Sequence, residues 1–162
     1  MAFTENPDGV HVYASTCTWE GSTGQGYQHY TRAHHATSAP ATTELELSND
    51  PSLGGDPALL DPEQLVLIAA SSCQLLSFLA VAARGRVDVR SYRDEAEAMM
   101  STDRPARIAT ITLRPRITAV DSTPDRVAHL VEVAHRQCYV ANLLSTPVRV
   151  EPTITIAAAT PS

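Results

Sequence analysis

The chain has 162 residues, with 12 basic and 18 acidic side chains and a formal net charge of −6. This length suits one domain of ordinary size, which can bury a core without disulfide or metal support. Every basic residue is Arg, and an acidic chain without Lys clusters is not expected to bind nucleic acid. Apolar residues make up 43% of the chain and charged residues 19%, which favours a folded globule over a disordered chain.

The first residues show neither a basic region nor an apolar segment, so no secretory signal is predicted and we expect a cytoplasmic protein. In that compartment Cys17, Cys73 and Cys138 are expected to be thiols, and they form no CxxC pair. No His, Cys or carboxylate motif has the spacing of metal ligands. We therefore expect neither a metal nor a cofactor.

Strands are predicted in the N-terminal part of the chain. Residues 11–19 are rich in β-forming residues, and residues 20–26 contain three glycines, which is typical of a hairpin loop. The return strand is predicted at 27–37 and a third strand at 43–47. Residues 48–60 have the composition of turns and predict a loop.

A helix is predicted from Asp61 to Arg84. Asp61 suits the N-cap, Pro62 suits the first helical position, and Gln64 stands where a capping-box partner belongs. Gly85 is a natural stop signal.

This helix carries no charge from Leu65 to Ala83, a run close to the length that spans a bilayer. Polar residues such as Ser71 and Gln74 interrupt the run, alanines dilute its hydrophobicity, and no second span follows. We therefore expect a buried central helix and no membrane association.

The rest of the chain predicts two strands, one helix and one strand. Strands are expected at 86–97 and 106–120, with a turn between them. A second helix begins at Thr123 by the same cap-then-proline pattern and continues to about residue 145, and 148–156 form the last strand. The order βββ-α-ββ-α-β indicates the α+β class.

Two cysteines lie on the apolar faces of the two predicted helices. Cys73 stands in the middle of the first helix, and Cys138 stands on the apolar stripe of the second. Such residues are often small hydrophobic packing groups. Alternatively they form a dithiol pair, because two packed helices can bring facing cysteines within disulfide reach.

Two segments carry a family resemblance. Residues 61–65 (DPEQL) and 69–74 (AASSCQ) resemble the first-helix motif of the OsmC/Ohr family, the osmotically inducible protein C and organic hydroperoxide resistance proteins. Residues 134–142 (AHRQCYVAN) are similar to the second-helix motif of this family. The match in order and spacing covers about residues 10–156, and residues 30–35 look more like an OsmC-like branch than like Ohr itself.

The resemblance implies a single OsmC-like domain over 1–162, with its core at 10–156 and frayed ends. The expected fold has antiparallel β-sheets around two long central helices, and the expected assembly is an intertwined homodimer. No nucleic acid or membrane partner is implied.

The family acts as thiol-dependent peroxidases on organic hydroperoxides. By resemblance, Cys73 attacks the peroxide and becomes a sulfenic acid, and Cys138 resolves it as a disulfide. Arg32 would supply the activating cation, and Glu63 would orient Arg32. A dithiol reductant, with a lipoyl-type dithiol as one candidate, would restore both thiols.

An apolar substrate site is expected at Leu76, Phe78 and Leu79, favouring organic peroxides over hydrogen peroxide. Glu63 and Cys73 are separated by ten helical residues, roughly 15 Å along a helix. If both serve one site, Glu63 comes from a second subunit. The alternative function is a non-catalytic dimeric binding protein for a small hydrophobic ligand, with structural cysteines.

Overall fold

The computed structural model describes residues 11–158 of the chain. Within this range the backbone forms two compact units, one ending at Leu65 and the other beginning at Val66. Nine strands and three α-helices in the described part confirm the predicted α+β class. The predicted frayed ends lie largely outside the described residues, and the single-domain prediction stays a prediction.

The first unit contains a three-stranded antiparallel sheet in the order β1-β2-β3. The return strand begins at His34, later than predicted, because residues 27–29 form a 3-10 turn. The Arg32 side chain also donates hydrogen bonds to the carbonyl oxygens of Tyr27 and Tyr30, and these two residues lie outside the sheet. The strands are β1 (Ala14–Thr18), β2 (His34–Ala39) and β3 (Glu44–Leu47).

The first helix, α1, spans Pro62–Arg84 as predicted. Its start is fixed by a reciprocal capping box. The Gln64 amide donates to Asp61 Oδ1 at 2.7 Å, and the Asp61 amide donates to Gln64 Oε1 at 3.1 Å.

Part of α1 is exposed in the single chain, contrary to the expectation of a buried central helix. Only 28% of its most apolar 18-residue segment is buried. By length and composition alone, this helix could cross a membrane. Ile68, Leu76 and Leu79 are exposed, at 50%, 63% and 39% respectively. Exposed apolar faces of this kind are typical of interaction surfaces.

The second unit contains six strands where the sequence predicts three. The predicted strands at 106–120 and 148–156 are each divided, and a further strand begins where the strand predicted at 86–97 ends. The six strands form two sheets, ordered β4-β7-β9 and β5-β6-β8. The β6–β8 and β7–β9 pairs are parallel, so the expectation of purely antiparallel sheets is wrong for them. The strands are β4 (Asp88–Asp94), β5 (Glu97–Met100), β6 (Ile108–Leu113), β7 (Pro115–Val120), β8 (Val148–Val150) and β9 (Thr153–Ala157).

The strand breaks have local causes. Pro115 and Pro152 have no amide hydrogen to donate to a sheet. Beside the first proline, the Arg114 amide leaves the ladder and donates to Asp94 Oδ1 at 2.7 Å. Before the second, the Glu151 amide donates to the carbonyl of residue 113 at 2.8 Å.

The second predicted helix is interrupted. It forms α2 (Pro124–Gln137), capped by the Thr123 side chain as predicted, and a short α3 (Tyr139–Leu143). Cys138 separates them in an extended conformation, with φ −70° and ψ 112°. The prediction of one long continuous helix in this part of the chain is therefore wrong.

The main core of the second unit lies where α1 and α2 pack on the β4-β7-β9 sheet. Phe78, Ile117, Val127 and Ala134 are almost completely buried in it. The Phe78 ring lies 5.8 Å from the ring of Tyr92. This core holds α1, which carries Cys73, against α2, which ends directly before Cys138.

We expect Asp61→Ala to lower the free energy of unfolding by about 1 kcal/mol, because it removes the side-chain acceptor of the capping box. Asp61→Asn retains an acceptor and serves as the control. Urea unfolding followed by circular dichroism measures both variants. An equal loss in the two would show that charge, and not capping, explains the role of Asp61.

Candidate functional site

Cys73 and Cys138 meet inside the second unit. Cys73 is half-buried on α1, and Cys138 is 1% exposed at the break between α2 and α3. The two side chains are hydrogen-bonded to each other, with Cys138 as the donor to the Cys73 sulfur. The structure therefore brings together the pair that the resemblance assigns to peroxide chemistry.

The helix break supplies further donors to Cys73. Because α2 ends at Gln137, the amides of Tyr139 and Val140 are at the start of α3 and have no helical acceptor. Both amides donate hydrogen bonds to the Cys73 sulfur. The interruption at Cys138 thus creates a small pocket of N–H groups around the other thiol.

These contacts set the pKa of Cys73. Burial raises it, but hydrogen bonds from Val140, Cys138, Tyr139 and Ser77 outweigh burial and hold the pKa of Cys73 below its usual value. Stabilisation of a thiolate by hydrogen bonds increases the fraction of the nucleophilic form at neutral pH.

The pKa of Cys138 moves in the opposite direction. Burial raises it most, and the neighbouring Cys73 raises it further through the shared hydrogen bond and charge repulsion. Amide donors from Ala141 and Val140 offset only part of this rise. Cys73 therefore loses its proton before Cys138 does.

A cleft of about 440 Å³ opens beside Cys73. Leu76 lines it as predicted, but Leu79 does not, and Phe78 is a fully buried core residue. The prediction of Phe78 as a substrate contact is therefore wrong for this chain, because its side chain points into the core. The lining is Ala69, Ser72, Cys73, Leu76, Ser77, Ala80, Arg84, Gln137 and Tyr139.

Arg32 and Glu63 both lie in the first unit. The Arg32 guanidinium donates to the carbonyls of Tyr30 and Tyr27, at 2.5 and 2.6 Å. Glu63 is exposed in the first turn of α1. Among residues 11–158, Arg32 forms no ion pair, so the Arg32–Glu63 pair implied by the resemblance is not formed in the single chain.

Arg32 lines a cavity of about 460 Å³ within the first unit, together with Trp19, Tyr30 and His34. Its Nε is buried and has no hydrogen-bond partner in the described part of the chain. This nitrogen is therefore a shielded donor without an acceptor among the described residues.

Several residues of the site escaped sequence reasoning. Ser77 was visible as a polar residue one turn after Cys73, where i and i+4 side chains are neighbours. Tyr139 and Val140 act through their amides, which no residue type reveals. Asn142 holds the break from the other side, because its Nδ2 donates to the Arg136 carbonyl at 3.1 Å.

The comparisons with known proteins agree with this fold. The family model described as OsmC-like protein matches residues 54–153. The chain therefore belongs to the OsmC-like protein family, as the two motifs indicated. No curated protein matches the chain closely enough to count as a relative.

Solved structures show the same fold. An OsmC-like protein of unknown function from Vibrio cholerae has a TM-score of 0.80 and 25% identity, over 89% of this chain and all of that chain. An organic hydroperoxide resistance protein OsmC from Legionella pneumophila has a TM-score of 0.65 and 16% identity, over 90% of this chain and 98% of that chain. An organic hydroperoxide resistance protein from Elizabethkingia anophelis has a TM-score of 0.66 and 18% identity, over 91% of this chain and 98% of that chain.

We expect Cys138→Ala to raise the pKa of Cys73, because the variant removes one of the hydrogen bonds that stabilise the thiolate. Cys138→Ser keeps a donor and should raise the pKa less. The rate of iodoacetamide alkylation of Cys73, followed against pH by peptide mass spectrometry, gives each pKa. An unchanged pKa in Cys138→Ala would show that the backbone amides alone stabilise the thiolate.

Proposed function

We propose that the protein is a thiol-dependent peroxidase that reduces organic hydroperoxides to alcohols. The observation that carries this proposal is the pairing of two thiols with opposite pKa shifts, one of which, Cys73, lines a mostly apolar cleft. Membership of the OsmC-like family supports it, since some proteins of this fold are described as organic hydroperoxide resistance proteins.

In the first step the Cys73 thiolate attacks the terminal oxygen of the hydroperoxide, and the O–O bond breaks. The products are a Cys73 sulfenic acid and an alkoxide, which takes up a proton to become the alcohol. The amides of Tyr139 and Val140 lower the pKa of Cys73 and so favour the thiolate that makes this attack. The peroxide is reduced by two electrons, and the sulfur is oxidised by two.

In the second step the Cys138 sulfur attacks the Cys73 sulfenic acid. A disulfide forms, the hydroxyl group leaves, and the Cys138 proton completes a water molecule. An external dithiol then reduces the disulfide by exchange and is itself oxidised. Because the cycle needs free thiols between turnovers, the proposal includes a cytoplasmic location.

The cleft favours organic over hydrogen peroxide in this proposal. Leu76 and the two alanines at 69 and 80 give its wall an apolar character. Such a wall binds an alkyl or aryl group by burial of apolar surface, which hydrogen peroxide lacks.

The proposal also includes a homodimer, with Arg32 of a second copy acting at Cys73. The apolar face of α1, with Ile68, Leu76 and Leu79, is exposed to water, which is energetically unfavourable. A second copy of α1 covers such a face with a matching one. A guanidinium brought in this way would bind the peroxide oxygens and stabilise the thiolate.

We expect wild-type protein to lose two thiols per chain within seconds of adding one equivalent of cumene hydroperoxide, with a mass decrease of about two daltons. Cys73→Ser should lose none, because the nucleophile is absent. Cys138→Ser should stop at a sulfenic acid, which dimedone traps. Thiol titration and intact-mass spectrometry measure the three outcomes.

Cys17→Ser is the matched control, since Cys17 is an exposed thiol of the other unit. It should react like wild type. Retention of all thiols in wild type would contradict the peroxidase proposal and favour the alternative, a dimeric binding protein for a small hydrophobic ligand.

We expect Leu76→Asp to weaken the dimer at least tenfold, because it places a charge on the apolar face of α1. Analytical ultracentrifugation measures the association. Leu53→Asp is the control, since Leu53 is 48% exposed and lies outside this helix face. A monomeric wild-type protein, or one that cosediments with lipid vesicles, would contradict the proposed assembly.

A further inference from the structure

Among residues 11–158, Arg32 is held by two aromatic rings, here called the aromatic corner, and by no carboxylate. Its guanidinium carbon lies 4.0 Å from the centroid of the Tyr30 ring and 4.6 Å from that of the Tyr27 ring. The two rings stand nearly perpendicular, with an interplanar angle of 81° and centroids 6.0 Å apart. The guanidinium therefore contacts two ring faces, each of which attracts a cation.

Backbone groups fix the orientation of the guanidinium in this corner. One terminal nitrogen donates to the Tyr30 carbonyl and the other to the Tyr27 carbonyl. The same two residues thus supply both the rings and the acceptors. The planar guanidinium has no freedom to rotate without losing one of these hydrogen bonds.

Gly54 closes the corner from the loop that precedes α1. A Cβ at this position would lie 3.2 Å from the Arg32 guanidinium carbon, which is closer than ordinary contact. Gly54 also has a φ of +83°, which residues with a side chain rarely adopt. The Tyr27 hydroxyl donates to the Leu53 carbonyl at 3.4 Å and ties the loop to the ring.

The corner is itself anchored. The Trp19 indole donates to the Thr31 carbonyl at 2.8 Å, and its ring meets the Tyr30 ring edge-on at 6.1 Å. Trp19, Tyr30 and Arg32 also line the same cavity. The positioned guanidinium therefore borders open space and is not sealed inside the unit.

This arrangement holds Arg32 without cancelling its charge. A carboxylate partner would occupy two N–H donors and neutralise the cation. Rings and carbonyls carry no net charge, and they leave the Nε donor and one hydrogen on each terminal nitrogen unused. The full positive charge then acts on whatever anion approaches.

We infer that Tyr27 and Tyr30 are the positioning residues of Arg32, and that Glu63 does not fill this role. The inference rests on the proposed function, in which Arg32 assists Cys73. It deepens that proposal by assigning orientation to aromatic rings of the same unit.

The first test measures the rate of Cys73 oxidation by cumene hydroperoxide, using dimedone trapping in a Cys138→Ser background. Arg32→Gln sets the full effect of losing the cation. Tyr30→Leu should lower this oxidation rate about tenfold, since it removes the closer ring. Tyr30→Phe keeps the ring and should have the wild-type rate. The pH profile of the Tyr30→Leu rate should shift upward, as expected when a fixed cation no longer favours the thiolate.

Three further variants complete the comparison. Tyr27→Leu removes the other ring and serves if Tyr30→Leu fails to fold. Tyr13→Leu removes a tyrosine that is 78% exposed, as a matched control. Glu63→Gln should lower the rate of Cys73 oxidation less than Tyr30→Leu does. A larger loss of rate in Glu63→Gln would overturn the inference.

A second measurement does not depend on activity. In ¹⁵N-resolved NMR spectra of the full chain, the Arg32 Nε–H should exchange slowly in wild type and in Tyr30→Phe. It should exchange at least about tenfold faster in Tyr30→Leu, because the guanidinium returns to water.

The two measurements separate the failures. A wild-type protein that is inert to hydroperoxide but shows a protected Nε–H, lost in Tyr30→Leu, refutes the proposed function and retains the aromatic positioning. Fast exchange in wild type, or exchange that Glu63→Gln accelerates and Tyr30→Leu leaves unchanged, refutes the positioning.

Discussion

The interruption of the helical hydrogen-bond ladder at Cys138 is the feature on which the thiol site depends. A continuous helix would direct the amides of Tyr139 and Val140 to carbonyls one turn earlier. The break directs them to the Cys73 sulfur, where they act as fixed dipoles. It also places Cys138 itself in hydrogen-bond contact with Cys73. One local departure from helix geometry thus lowers the pKa of one thiol and positions the other.

The two units contribute different chemistry. The second unit provides the thiols and the cleft, and its hydrogen bonds alone lower the pKa of Cys73. The first unit provides a guanidinium whose charge is retained because aromatic rings and carbonyls hold it. An activated thiolate and an uncancelled cation are the two parts that peroxide reduction requires in the proposed function.

The sequence predicts features that depend on neighbouring residues. The start of α1 is of this kind, because Asp61 and Gln64 cap each other within one turn. The division of the strands was signalled by Pro115 and Pro152, but which sheet each half joins depends on distant partners. The break at Cys138 has no Gly or Pro to mark it, and the burial of Phe78 depends on Tyr92, a residue of another element.

The unequal burial of the two cysteines determines how electrons would enter the proposed disulfide. A reductant reaches the half-buried Cys73 sulfur, whereas Cys138 is shielded from solvent. Attack at Cys73 expels Cys138, whose raised pKa makes it a slow leaving group. A single thiol would remain bound to Cys73 as a mixed disulfide. A dithiol carries its second thiol at high effective concentration, and this thiol attacks the first sulfur of the reductant and releases the Cys73 thiolate. In the proposed function, the unequal burial of the two cysteines would therefore favour reductants that carry two thiols over those that carry one.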